Sequence, residues 1–141
     1  MHLTLRPAGA TDAERVRELM LQLGYDVPAD QIAQRLAGRG CEREVFVAEN
    51  EAGVVAWAGV CIRDDFIGGR YAEIEGFVVD ATTRGAGIGA RLLDAVEAWA
   101  RSQHCDTLRV RSNVIRDRAH TFYERHGYSK VKAQFSFRKP L

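Results

Sequence analysis

With 141 residues, 46% apolar and 28% charged, the chain has the size and balance of one soluble globular domain with a substantial core. Its 20 Lys and Arg against 19 Asp and Glu give no electrostatic footprint for nucleic acid or an anionic membrane as partner. No apolar run approaches the roughly 20 residues of a membrane helix and the first six residues are no signal peptide, so a cytoplasmic location is expected.

In chain order, Leu3 to Arg6 reads as a short strand closed by Pro7. Thr11 with Glu14 has capping-box spacing, and Val16, Leu19, Met20 and Leu23 then share one helical face until Gly24. A weaker helix follows from Pro28 to about Arg39 on Ile32 and Leu36. Glu44 to Glu49 and Val54 to Ile62 read as a hairpin turning at Asn50-Glu51-Ala52-Gly53, with Trp57 in the core and Arg63 to Arg70 as a polar loop. Cys41, Cys61 and Cys105 are odd in number and isolated. They predict no disulfide framework and no Cys-x-x-Cys site, and are expected as buried small hydrophobes. No metal-ligand spacing joins the four histidines to acidic or cysteine partners.

The strand from Tyr71 to Val79 carries two carboxylates, Glu73 and Glu75, which period-two geometry puts on one face. Gly76 in mid-strand marks a bulge or a close backbone approach. After Phe77-Val78-Val79 comes Arg84-Gly85-Ala86-Gly87-Ile88-Gly89, opening a helix whose Ile88, Leu92, Leu93, Val96, Trp99 and Ala100 recur on one face. Strand, glycine loop and helix N-terminus together make an anion site, most often for phosphate. A P-loop is excluded because Gly89-Ala90-Arg91 lacks the Lys and the hydroxyl. A dinucleotide fingerprint fits poorly, since the third glycine comes one residue early and too little chain follows.

Thr107 to Arg111 reads as the next strand, with Arg109 and Arg111 on one face. If that face met Glu73 and Glu75, ion pairing would depress the glutamates and weaken either as a base. Ala119, Phe122, Tyr123 and His126 take neighbouring positions on a last helix closed by Gly127, and Lys130-Val131 and Phe135 to Arg138 read as closing strands.

Two blocks, Arg84-x-x-Gly87-x-Gly89 and Arg111-Ser112-Asn113 with Arg116-x-x-Ala119-His120-x-Phe122-Tyr123-Glu124-Arg125-x-Gly127-Tyr128, resemble in order and spacing the signatures of the GNAT superfamily of acyl-CoA-dependent N-acetyltransferases. The resemblance implies a single α/β domain over residues 1–141. It would have a mostly antiparallel mixed sheet of six or seven strands, splayed between the two strands flanking the cofactor, and about four helices. It implies acetyl-CoA as co-substrate, with its pyrophosphate on Arg84, Gly85, Ala86, Gly87, Ile88 and Gly89. Its pantetheine arm would lie against Phe77, Val78 and Val79, with Asn113 and Tyr123 also in contact. It points to Glu75 or Glu73 as the base that takes the amine's proton, with a lean to Glu75 because it lies nearer the splayed end, and to Tyr123 as the acid that protonates the departing thiolate. No metal is implied. The acceptor is expected to be a small-molecule or peptide amine entering from the side of the first two helices and the Asp64 to Arg70 loop. There Tyr25 and Asp26 border it, or Tyr25 caps the core. Direct attack in a ternary complex is expected, as no cysteine takes a matched position, and a homodimer is common in such proteins. A non-catalytic acyl-CoA-binding sensor or interaction module is the alternative.

Overall fold

The computed structural model describes residues 2–114 and 116–141. They form two compact units, one ending at Val110 and one beginning at Arg111.

The first unit holds strands β1 (Thr4–Pro7), β2 (Arg43–Asn50), β3 (Gly53–Asp65), β4 (Gly69–Val79) and β5 (Leu108–Val110), and helices α1 (Ala13–Gln22), α2 (Ala29–Ala37) and α3 (Ile88–Ser102). The sheet runs β1-β2-β3-β4-β5, antiparallel throughout except for the parallel pair β4 and β5. Short turns join β2 to β3 and β3 to β4, α1 and α2 lie between β1 and β2, and the parallel step needs a long crossover, which α3 provides. The described residues thus give the mixed sheet and four helices expected, but five strands instead of six or seven. Residues 129–141, where the closing strands are predicted, carry neither helix nor strand. A strand pattern needs a neighbour to complete its ladder, and period two alone does not supply one.

Pairing fixes the two faces of the sheet. Val47, Trp57 and Val78 stand in one row and pack with Val16 and Leu19 of α1 and Ile32 and Leu36 of α2. The opposite face meets α3, whose Ile88, Leu92, Leu93 and Val96 are almost fully buried, each contributing roughly 1.5–3 kcal/mol.

The entry to α1 differs from the predicted Thr11–Glu14 box. A 3-10 turn, Ala10–Asp12, precedes the helix, and Asp12 Oδ2 accepts from the Gly9 amide at 2.8 Å. Arg6 Nη1 and Nη2 both donate to Asp12 at 2.9 Å, so the carboxylate that organises the turn is the one that β1 can hold. Gly24, with φ of 91°, ends the helical run as its position predicts. Tyr25 just after it is 60% exposed and does not cap the core. Cys61 and Cys105 are buried, but Cys41 is exposed because it lies in the bend before β2.

The predicted polar loop from Arg63 to Arg70 is mostly strand. β3 runs to Asp65 and β4 starts at Gly69, with Asp65 Oδ1 accepting from the Gly68 amide to tighten the turn.

Candidate active site

Val79 ends β4, and Asp80 opens a second 3-10 turn, Ala81–Thr83, its Oδ1 accepting from the Thr82 amide at 3.2 Å. Arg15 Nη2 donates to Asp80 Oδ2 at 2.6 Å, tying α1 to the start of the glycine loop. Gly85 and Gly87 have φ of 89° and 77°, the left-handed region that side chains disfavour, and Gly87 is the N-cap of α3. Arg84 to Gly87 are exposed while Ile88 is buried, so the helix is anchored one residue beyond an open loop. Uncovered amides at a helix N-terminus present partial positive charge outward, which fits the pyrophosphate of an acyl-CoA.

β4 and β5 separate just upstream of that loop. β5 pairs only with Ala72, Glu73 and Ile74, and β4 continues to Val79 beyond the last paired residue. Opposite β3 the register changes between the pairs Val60–Ile74 and Gly59–Gly76, leaving Glu75 as the extra, bulged residue. Both expectations for Gly76 hold, since a Cβ there would lie 2.4 Å from Trp57 Cη2. The backbone at Phe77, Val78 and Val79 therefore runs beyond the last residue that pairs with β5.

Arg43, Cys61, Glu73 and Arg109 occupy one row across β2, β3, β4 and β5, hence one face. Glu73 is buried, at 6% exposure, with Arg63 Nη2 3.6 Å away. Glu75 is partly exposed and held by Arg43, whose Nε donates to Oε2 at 2.8 Å and Nη2 to Oε1 at 2.9 Å. Burial pushes the Glu75 carboxyl up, but hydrogen bonds and charge from Arg43, with Cys61 and Arg63, outweigh it and hold it below the usual carboxylate range. For Glu75 the depression expected of ion pairing occurs, with Arg43 as its main cause. Arg109 sits over the Tyr71 ring at 3.9 Å, while Arg43 faces Glu75 and Arg63 faces Glu73. Cys61, next to Glu75, is pushed up to about 11 by burial and that carboxylate, which leaves its thiol a poor nucleophile.

The second unit has its own geometry. Helix α4 (Asp117–Arg125) ends in a Schellman motif: the Gly127 amide donates to Glu124 O at 3.2 Å and the Tyr128 amide to Tyr123 O at 3.0 Å, with Gly127 at φ 91°. The Tyr123 ring stands edge-on to Tyr128 at 5.6 Å and to Phe122 at 5.4 Å. Burial pushes the Tyr123 phenol up to about 12, against a smaller opposing pull from Arg116. The Asn113 carbonyl lies 2.9 Å from His120 Nε2, which fixes the turn ahead of α4. Of the predicted residues, Glu73, Glu75, Phe77 to Val79 and Arg84 to Gly89 form one stretch of the first unit, and Asn113 and Tyr123 belong to the second.

The family model for the acetyltransferase (GNAT) family matches residues 14–128, most of the chain. The chain belongs to the GNAT acetyltransferase family. Acetyl-CoA is accordingly its co-substrate, and the GNAT match takes in both signature blocks. An aminoglycoside N(6')-acetyltransferase type 1 of Stenotrophomonas maltophilia is 33% identical over 98% of this chain and 94% of its own length. A glucosamine 6-phosphate N-acetyltransferase 1 of Oryza sativa subsp. japonica is 36% identical over 72% of this chain and 67% of its own length. Among solved structures, AAC(6')-Iy in complex with the bisubstrate analogue CoA-S-monomethyl-acetylneamine superposes with a TM-score of 0.87, covering 100% of both chains at 20% identity. Among the described residues no group of His, Cys, Asp and Glu is arranged to hold a metal ion, and no helix is long and apolar enough to cross a membrane.

Sequence reasoning missed Arg43, Arg63, Arg15 and Asp80. The signal for Arg43 was obscured by the β2–β3 register. Counting back from the Asn50–Gly53 turn pairs Arg43 with Val60, but the irregularity at Ala48/Glu49 shifts its partner to Cys61 and so changes the row it joins.

Proposed function

We propose that this protein moves the acetyl group of acetyl-CoA to a primary amine of an amino sugar, by direct attack within a ternary complex. The observation that carries this reading is Glu75: an ionised, partly exposed carboxylate on the bulge of β4, at the point where β5 stops pairing and just ahead of the glycine loop. The amino-sugar class rests on the relatives, whose printed names join aminoglycosides and glucosamine 6-phosphate, substrates that share an amine on a sugar.

In this mechanism the neutral amine nitrogen forms a bond to the thioester carbonyl carbon, and the carbon–sulfur bond breaks. Glu75 takes the amine's proton, directly or through one water, as a base that its ion pair with Arg43 weakens. Tyr123, protonated at neutral pH as any phenol is, gives its proton to the leaving thiolate, and burial makes it a weaker acid than a free phenol. The raised Cys61 thiol argues against a covalent acetyl-enzyme. That the chain has both a carboxylate and a tyrosine at the matched positions argues against a sensor, which needs the loop alone. The family match across both units supports their serving one domain.

The test is acetyl-CoA-dependent release of free thiol with amino sugars, polyamines, amino acids and peptides as acceptors, with calorimetric acetyl-CoA binding as control. Turnover confined to amino sugars is expected, and Glu75→Gln should lower kcat by about 100-fold while acetyl-CoA binding is kept. Turnover with peptides alone would overturn the acceptor class, and wild-type turnover by Glu75→Gln would overturn the base.

A further inference from the structure

We propose that Arg15, Gln22 and Asp80 form a clasp through which helix α1 holds the glycine loop in its acetyl-CoA-binding form. Arg15 and Gln22 lie two turns apart on one face of α1, so the pair straddles a span of roughly 10 Å. Both reach the residue that opens the loop. Arg15 Nη2 donates to Asp80 Oδ2 at 2.6 Å, and Gln22 Nε2 donates to Asp80 Oδ1 at 3.3 Å. The other end of the Gln22 amide accepts from the Ala81 amide at 3.0 Å, so one side chain holds a carboxylate and the next backbone N–H together. The clasp has its own footing on β3, since Arg15 Nε donates to Val54 O at 2.8 Å and the Asp80 amide to Val55 O at 2.8 Å.

The loop needs such a hold. Beyond their chain neighbours, Gly85 and Gly87 have no atom within 4 Å of where a side chain would begin, so nothing packs against them there. Buried Ile88 fixes the far end. The near end, exposed at Ala81 and Thr82, is tied to the body by Asp80 and the Ala81 amide. A glycine loop left loose would have to be ordered by its ligand, which lowers affinity, whereas a loop held in place before binding does not. Charge requires the same partner. The Thr82 amide, with Arg15 and Gln22, outweighs burial and holds the Asp80 carboxyl below the usual carboxylate range, so it is ionised at neutral pH. A bare carboxylate at the entry of a phosphate-binding loop would repel the ligand, and Arg15 offsets that charge.

The inference rests on the glycine loop as the pyrophosphate site and not on the acceptor class. Its test is calorimetric acetyl-CoA binding with hydrogen exchange of amides 85–89, neither of which needs a known amine. Gln22→Ala, at an exposed position, should raise the Kd about 5-fold and keep the melting temperature within a few degrees. In the free variant amides 85–89 should exchange faster than in wild type, and saturation with acetyl-CoA should remove the difference. Arg15→Ala should raise the Kd about 10-fold, and adding Asp80→Asn should recover part of that loss because the bare charge is gone. A wild-type Kd in Gln22→Ala, or faster exchange spread through the whole sheet, would overturn the clasp. A double variant that binds no better than Arg15→Ala would overturn the role given to charge. Should Arg15→Ala fail to fold, the Gln22 variant decides alone. Gly85→Ala, strained at a φ of 89°, is the control for the loop itself. If it weakens binding and Gln22→Ala does not, the clasp falls alone. If neither weakens binding, the loop loses its ligand and the clasp falls with it.

Discussion

Arg43 grips Glu75 with both arms of its guanidinium fork, at 2.8 and 2.9 Å. The pair joins β2 to the bulge of β4, across β3, and sets the proton affinity of the proposed base. With Arg43→Gln the strongest force lowering the Glu75 carboxyl is gone and the opposing effect of burial remains. The carboxyl should therefore titrate at higher pH, and the acidic limb of the kcat/KM profile should move upward with it while acetyl-CoA binding stays the same. Carbon-13 NMR titration of the side-chain carboxyls, alongside the pH profile, checks this. An acidic limb that does not move would separate Glu75 from the rate-determining protonation. Being partly exposed, the pair should add little to stability.

What the sequence made legible follows from local chemistry. Glycines with positive φ, the apolar face of α3 and the Gly127 helix stop depend on near neighbours, so the glycine loop and α4 could be placed from the chain alone. The partners of the glutamates depend on strand register, and two irregularities, at Ala48/Glu49 and at Glu75, each displace the count by one residue. Arg109 shows the limit of pattern reading. It does stand opposite Glu73, but its side chain turns to the Tyr71 ring, where cation and aromatic face meet. Residues 129–141 show the converse, because their strand period did not yield a strand.

Gly76 is the point at which the bulge and the core constrain each other. A methyl group there would overlap Trp57, at 2.4 Å from Cη2 and 2.7 Å from Cζ3, and the indole is wedged among Val47, Val78 and the α1 and α2 side chains. Gly76→Ala should cost about 1–3 kcal/mol. Because Trp57 and Glu75 both border Gly59, a displaced indole should also raise the KM for the amine. Urea unfolding and steady-state kinetics report the two effects. Wild-type stability in this variant would mean that the indole can step aside at little cost.

Asp12 carries a pH-dependent share of stability. Hydrogen bonds from Arg6 lower its carboxyl below 3.8, burial pushes it back up, and the Gly9 amide adds to the lowering. A folded-state value below the unfolded one gives stability that is fully present above the ordinary carboxylate range and is lost as pH falls through the folded value. Arg6→Ala leaves a buried carboxylate with only the Gly9 amide, and should cost roughly 2–3 kcal/mol at pH 7. That deficit should shrink on acidification below 3.8, as the wild-type protein loses the same contribution. Parallel denaturation curves at neutral and acid pH measure it, and a deficit constant with pH would assign the loss to packing of the Arg6 stem.

Tyr123 separates chemistry from structure within one side chain. Its ring contacts to Phe122 and Tyr128 survive in phenylalanine, and its backbone carbonyl, not its hydroxyl, closes the helix end. Tyr123→Phe should therefore keep the melting temperature within a few degrees. As the loss of a general acid, it should lower kcat by roughly 100-fold. With the phenol pushed up to about 12, the wild-type profile should show no basic limb from this group near pH 10. The folded value lies above the unfolded one, so any stability linked to this proton is complete below pH 10 and is lost as pH rises toward 12. A basic limb near 10 that disappears in Tyr123→Phe would keep the acid role and deny the burial. A variant that turns over like wild type would remove Tyr123 from the reaction, leaving solvent to protonate the thiolate.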